Sequence, residues 1–193
     1  VKPLTVVAIA RPPIPVNSAL VEADIDPLDL RLVGGDLALD FVNTTDEGAD
    51  ALGTARGFAA WAGRMELPPG RVALADVHGA RATIDAVLRP LATGASPAPP
   101  DLRALAALER AALGRATLSP GGWTFADPLS AVVHAAAELV VRGPVDRLKR
   151  CGNCPWLFLD HSRNGSRRWC SMEGCGTQVK IRRLTARRRG RAG

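Results

Sequence analysis

Four cysteines constrain this chain more than anything else in it. Cys151 and Cys154 make one close pair, Cys170 and Cys175 a second, and no other cysteine occurs in the 193 residues. Two close pairs separated by a hairpin-length insert suit a tetrahedral Zn²⁺ ion. Each pair curls its backbone around one side of the metal, and the insert folds back to bring the pairs together. The rivals are weaker. Disulfides need an oxidising compartment. The apolar stretch LTVVAIA at 4–10 is short and runs into RPPIP with no cleavage pattern, so it reads as a cytosolic lead-in rather than an export signal. A redox CxxC wants a βαβ setting, whereas Cys154 is followed at once by Pro155 and a strand-like run. A catalytic zinc keeps one position open. Here four thiolates close the shell, which leaves His161 a poor competitor and no cysteine spare for nucleophilic chemistry. The expectation is one structural Zn²⁺ held by Cys151, Cys154, Cys170 and Cys175.

The insert supports this. Residues 156–160 (WLFLD) read as a strand, Asn164-Gly165 as a tight turn, and residues 166–170 (SRRWC) as the returning strand. Ser171 suits the N-cap of a following helix, on which Ile181 and Leu184, with Val179 nearby, make an apolar stripe expected to dock on the hairpin. Knuckle, hairpin and a helix carrying the last ligand describe a treble-clef-like zinc finger. With so few core candidates, Trp156 and Trp169 among them, a unit of about 45 residues needs a metal to fold.

Charge is split along the chain. Residues 1–140 carry 11 Lys and Arg against 16 Asp and Glu, a balance of −5; residues 141–193 carry 14 against 3, a balance of +11; together they give the net +6. Zinc with four thiolates removes two of those positive charges and leaves about +9 at the C-terminal end. A bland reading is a solvated basic tail. The sharper one is a polyanion-binding end, with nucleic acid the favoured partner. Arg163, Arg167 and Arg168 belong to the insert. Gln178, Lys180, Arg182, Arg183, Arg187, Arg188 and Arg189 follow the last cysteine. Gln178, Lys180 and Arg182 are candidates to reach base edges, and the rest to hold phosphates. The tryptophans read as finger core rather than as stacking platforms, so DNA is favoured over RNA. The arginines are also expected to depress the thiol pKa values. No run approaches the roughly 18 apolar residues of a membrane span.

Upstream, residues 1–30 hold five prolines and read as a flexible leader. Residues 31–145 read as a mostly helical domain. Asp36 can cap a short helix bearing Leu37 and Phe41, and further helices fall at 54–64, 72–92, 100–114 and 127–144, with a small hairpin at 116–127. In the 100–114 helix, Leu102, Leu105, Ala106 and Leu108 are expected to face inward. His78 and His134 find no partner in helical register and read as structural; Asp40 and Asn43 read as helix-end capping residues. No acid–base or nucleophile constellation occurs, so an enzyme is not expected. The fold class is α+β: a mostly helical N-terminal domain with a small hairpin, then the zinc finger over 146–193.

The segment WLFLDHSRNGSRRWCSMEGCG, followed by its basic helix, resembles the CGNR zinc-finger family. GGDLALDFVNT and GGWTFADPLSAV resemble the ABATE domain that precedes that finger. The resemblance covers roughly residues 32–190. It implies bacterial proteins described as stress-induced transcription regulators, with the four cysteines as metal ligands. One departure stands out: the family's Cys-Gly-Asn-Arg reads Cys175-Gly176-Thr177-Gln178 here. Gln178 loses the arginine's charge, though its amide could still read adenine. The resulting expectation is a cytoplasmic DNA-binding transcription regulator whose N-terminal domain senses a signal or mediates assembly, with homodimerisation and a small-molecule effector both open. The alternative is a zinc-stabilised RNA-binding or protein-interaction module without a specific DNA site.

Overall fold

The structure, a computed structural model, describes residues 26–46 and 49–189. The prolines of the expected leader at positions 3, 12, 13 and 15 lie outside the described residues. The end of that leader is tied down: Arg64 donates to the carbonyls of Pro27 (3.1 Å) and Leu30 (2.7 Å), and Leu30 is buried.

Local chemistry explains the helices. Asp36 caps α1 (Leu37–Val42) by accepting from the Ala38 N–H, and Thr54 caps α2 (Ala55–Arg64) by accepting from Gly57. α3 (Leu74–Leu91) lays Val77, Ala80, Ile84, Val87 and Leu88 on one face, at the 3–4 residue spacing of a core-facing stripe. α4 (Pro99–Leu113) begins on two prolines, whose missing N–H groups cost nothing in a first turn. α5 (Pro128–Arg142) is capped by Asp127, which accepts from the Ser130 N–H and hydroxyl, and it buries Leu129, Val132, Val133, Ala136 and Leu139. Between helices lie two short antiparallel ladders: β1 (Thr45–Asp46) with β2 (Ala49–Asp50), and β3 (Thr117–Ser119) with β4 (Gly122–Thr124). Phe41, Phe58 and Trp61 cluster at the centre, with ring centroids 5.5–6.5 Å apart.

α4 corrects one expectation. Leu105 and Ala112 are buried, but Leu102 and Ala106 are exposed. The inward face runs 105, 109, 112, because Glu109 turns in to meet His134 of α5 (Oε1···Nδ1 2.7 Å). The other histidine also finds a partner across elements: His78 Nε2 lies 3.2 Å from the Leu52 carbonyl and 3.6 Å from Asp50.

Asp50 anchors the β1–β2 end to α3. Arg81 grips its carboxylate with both terminal nitrogens and also donates to buried Thr44 at 2.8 Å. Burial pushes this carboxyl up, but the Arg81 hydrogen bond, the Leu52 N–H, and the charges of Arg81 and His78 more than offset it, so its pKa lies below the ordinary value. A carboxyl depressed in the folded state adds stability above its unfolded pKa of about 3.9, and that contribution is lost as pH falls through the folded value. Arg81→Met is therefore expected to lower the melting temperature at pH 6, with the gap to wild type narrowing towards pH 3. Parallel thermal melts at the two pH values check this.

The C-terminal quarter starts at a 3₁₀ turn (Val145–Arg147). It continues as β5 (Leu148–Arg150) paired antiparallel with β6 (Leu157–Leu159), Lys149 opposite Phe158. This overturns the expected hairpin. Residues 156–160 do contain a strand, but it pairs with residues 148–150 across the first cysteine pair, not with 166–170, which form no strand. The Asn164-Gly165 turn exists as a bend closed by Gly165 N–H to the Ser162 carbonyl (3.1 Å); only Gly165 has positive φ (+57°), not both residues as a two-residue hairpin turn requires. A single wide turn (Met172–Gly176), capped by Ser171, leads into α6 (Thr177–Arg189).

β6 is buried on both faces. Leu157 and Leu159 enter the helical core, joined there by Leu148, while Phe158 packs beside Cys151 and Cys170. Side chains alternate across a strand, so one three-residue strand serves two cores. Asn43, at the end of α1, binds both backbone groups of Leu157: its Nδ2 donates to the carbonyl and its Oδ1 accepts from the N–H, each at 2.8 Å. Leu159 N–H donates to the Gly34 carbonyl at 2.8 Å, and Arg89 of α3 donates to the Pro155 carbonyl at 2.9 Å.

Candidate metal centre and basic helix

The β5–β6 connection carries Cys151 and Cys154. Its turn closes when Cys151 N–H donates to the Trp156 carbonyl (2.8 Å) and Gly152 N–H to the Arg168 carbonyl (3.0 Å). Glycine is needed at 152: a Cβ there would stand 2.8 Å from the Trp169 ring. Cys170 ends the loop after β6, and Cys175 lies in the wide turn before α6.

The four sulfurs all lie within 4.8 Å of one another, with Cys154–Cys170 at 3.6 Å and Cys170–Cys175 at 3.7 Å. No pair is bonded; a disulfide would need about 2.05 Å. Four sulfurs about 2.3 Å from a tetrahedral ion stand about 3.8 Å apart, so this donor set fits one Zn²⁺. Cys151 and Cys170 are buried, while Cys154 and Cys175 are half-buried. His161 is not part of the cluster; its ring lies against Gly35.

The thiols are tuned by burial and backbone rather than by the arginines the sequence suggested. At Cys151 burial opposes ionisation, but N–H groups of Cys170, Cys154 and Asn153 outweigh it and bring the pKa to about 7. Burial, with neighbouring sulfurs, pushes Cys154 up to about 12; burial and the charges of Cys154 and Cys151 push Cys170 up as well. Metal binding displaces the protons these groups would otherwise keep.

A buried carboxylate shapes the loop between the second strand and Cys170. Asp160 accepts from Lys149 Nζ (2.7 Å), Ser162 N–H (2.9 Å) and Arg167 N–H (2.9 Å). The Lys149 hydrogen bond, then the Ser162 interaction, hold its pKa far below the carboxylate range. Lys149 also reaches the Gly165 carbonyl. Neither residue stood out in the sequence, because their partnership depends on the unexpected β5–β6 pairing.

The basic residues separate into two groups. Arg167 points inward: Nε donates to the Trp169 carbonyl at 2.9 Å, another nitrogen to the Cys170 carbonyl, and its guanidinium lies 4.8 Å over the Phe158 ring. Gln178 and Arg182 both meet Asn153 of the knuckle. Asn153 Nδ2 donates to Gln178 Oε1 (2.9 Å), and Arg182 donates to Asn153 Oδ1 (3.0 Å). In contrast, Arg163, Lys180, Arg183, Arg187, Arg188 and Arg189 are exposed and make no hydrogen bond or ion pair among the described residues. Arg168 is exposed, its guanidinium 5.6 Å from the Trp169 ring.

α6 buries none of its side chains. Ile181 and Leu184 are 57% and 47% exposed, so the expected stripe does not dock. The polar bonds of Gln178 and Arg182, one turn apart, fix a different face against the finger. Trp156 donates to the Thr45 carbonyl (2.8 Å), and Trp169 is held beneath Gly152 and Gly176.

A helical domain sharing one strand with a four-cysteine centre defines a zinc-finger protein with an N-terminal helical partner domain. Comparison with known families agrees. Residues 147–188 match the CGNR zinc finger, and residues 35–143 match the ABATE family, described as "Putative stress-induced transcription regulator". The second match covers more than half of the chain, which belongs to the ABATE family. Among curated proteins none matches the chain. No helix among the described residues is long and apolar enough to cross a membrane.

Proposed function

We propose that this chain is a cytoplasmic DNA-binding transcription regulator in which a zinc-clamped finger presents α6 to duplex DNA. The observation that carries the reading is α6 itself. Residues 177–189 contain six Lys and Arg and no acidic residue, and none of their side chains is buried. A helix that contributes nothing to the core and carries one sign of charge suits a polyanion. Duplex is favoured over single strands because the half-buried Trp156 and Trp169 are engaged by the protein, Trp156 through its bond to the Thr45 carbonyl and Trp169 by packing against Gly152 and Gly176. For the helical domain, a cleft of about 660 Å³ between α3, α4 and α5 supports sensing of a small molecule. Val72, Leu108, Leu129 and Val133 line it, together with Arg115 and Asp127.

Fluorescence anisotropy with labelled duplexes tests the reading. If about four cations meet phosphates, log affinity should fall with log salt at a slope of about −3 to −4. A random-pool selection should return a preferred sequence. Equal affinity for random duplex and for RNA of the same length would instead favour the zinc-stabilised module without a specific DNA site.

A further inference from the structure

We propose that Asn153, in the turn between the first two cysteines, is the positioning residue of α6. In this arrangement Gln178 and Arg182 hold the helix to the knuckle, while Lys180, Arg183 and Arg187 form its nucleic-acid face. This inference rests on the proposed function above and assigns parts within the same surface.

The case begins with how little else orients α6. None of its side chains is buried, and its apolar residues Ile181 and Leu184 stand in solvent. Among the described residues, the hydrogen bonds that join it to the rest of the protein are those of the wide turn at Met172–Gly176, with Thr177 donating to the Met172 carbonyl at 3.1 Å, and the two bonds to Asn153; Val179 is its one half-buried apolar side chain. The turn fixes where the helix starts. The Asn153 bonds, one turn apart on one face, fix how it is rotated and tilted. Asn153 can do this because one amide is both donor and acceptor: its nitrogen serves Gln178 and its oxygen serves Arg182. Its backbone N–H is meanwhile turned to the Cys151 sulfur, so the clamp is built on the metal turn itself.

The clamp changes what Gln178 can do. Reading adenine needs the amide oxygen and nitrogen together. Its oxygen accepts from Asn153, so the amide is directed at the knuckle while the clamp is closed, away from the helix face that carries Lys180, Arg183 and Arg187. At the position where the family motif expects arginine, this chain uses a residue that fastens the helix. Lys180, Arg183 and Arg187 follow one another at spacings of three and four, so they share a face. All are exposed and without protein partners among the described residues.

The test uses the full zinc-loaded chain and three variants, Asn153→Ala, Gln178→Ala and Asn153→Asp. Two readouts are taken: ¹⁵N relaxation of the α6 amides, and affinity for a duplex selected with wild type. Zinc content is checked at about one per chain. Asn153→Ala and Gln178→Ala should both lower the α6 order parameters from about 0.85 towards 0.6. Each should also cost about tenfold in affinity at an unchanged salt slope, since no cation is removed. Gln178→Ala lies outside the knuckle and so guards against a zinc defect in Asn153→Ala. Asn153→Asp should retain wild-type order, because a carboxylate accepts from Arg182 and, once the Gln178 amide turns over, from its nitrogen. Unchanged α6 order in both alanine variants would overturn the inference, as would unchanged affinity in a chain whose wild type binds duplex. If wild type binds no duplex, the proposed function is what fails, and the relaxation data alone decide the clamp.

Discussion

Zinc removal is expected to destabilise the whole chain in one transition, rather than release a loose finger from an intact helical domain. The reason lies in β6. Leu157 and Leu159 belong to the helical core, and Phe158 to the cluster beside Cys151 and Cys170. A finger that unfolded alone would pull two buried leucines out of the helical domain and expose Leu148 with them. It would also strand Asn43, which is 3% exposed and bonded to Leu157. A structural zinc supplies an apparent ~10–16 kcal/mol, comparable with the whole stability of an ordinary domain, about 5–15 kcal/mol. At about 2–4 °C per kcal/mol for a chain of this size, losing even half of the lower figure moves the melting temperature by at least about 10 °C. Calorimetry with and without a strong chelator checks the claim, with far-UV circular dichroism to follow the helices. Cys170→Ser should copy the chelated protein, because that sulfur is buried and within 3.7 Å of two of its neighbours. A helical transition that kept its temperature in metal-free protein would show two independent units and sink the prediction.

How far the fold was legible in the sequence follows from the range of each signal. Caps and stripes act within a few residues, so Asp36, Asp127-Pro128 and the row Val77, Ile84, Val87, Leu88 marked their helices well. The cysteine spacing is likewise self-contained, and it marked the metal centre. Most of the misreadings are cases where a distant partner decided the outcome. Asn164-Gly165 is a strong local hairpin signal, yet β6 found β5, because that pairing buries Leu148 against the helical core and sets Lys149 near Asp160. The α4 face was read from hydrophobicity alone; Glu109 turns inward because His134 waits on α5. Arg167 looked like a phosphate ligand because charge alone was read; in the folded chain the carbonyls of Trp169 and Cys170, two and three residues on, turn it inward over the Phe158 ring. Asn153 was hidden between two cysteines, where the metal reading absorbed its neighbours and left it without a role.

Asn43→Ala is expected to be the most damaging substitution away from the cysteines. The side chain satisfies the N–H and the carbonyl of Leu157 at once, at a place where neither group can reach water. Truncation leaves both unpaired, at about 1–3 kcal/mol each, so a total loss of about 3 kcal/mol or more should appear in urea denaturation of the zinc-loaded chain. Asn43→Asp separates the two bonds. A carboxylate can still accept from the Leu157 N–H, but it faces the Leu157 carbonyl with nothing to donate and carries a charge that burial disfavours. Its pKa should therefore rise in the folded state. A raised carboxyl pKa favours the fold below the unfolded value of about 3.9, and that advantage is lost as pH climbs. The gap between Asn43→Asp and wild type should then be widest at pH 7 and narrow towards pH 5, where the protonated acid can donate as the amide does. A gap that stayed constant over that range would mean the lost donor is not what weakens the variant. A loss below about 1 kcal/mol for Asn43→Ala would mean the seam between helical domain and finger is held by Leu157 and Leu159 packing alone.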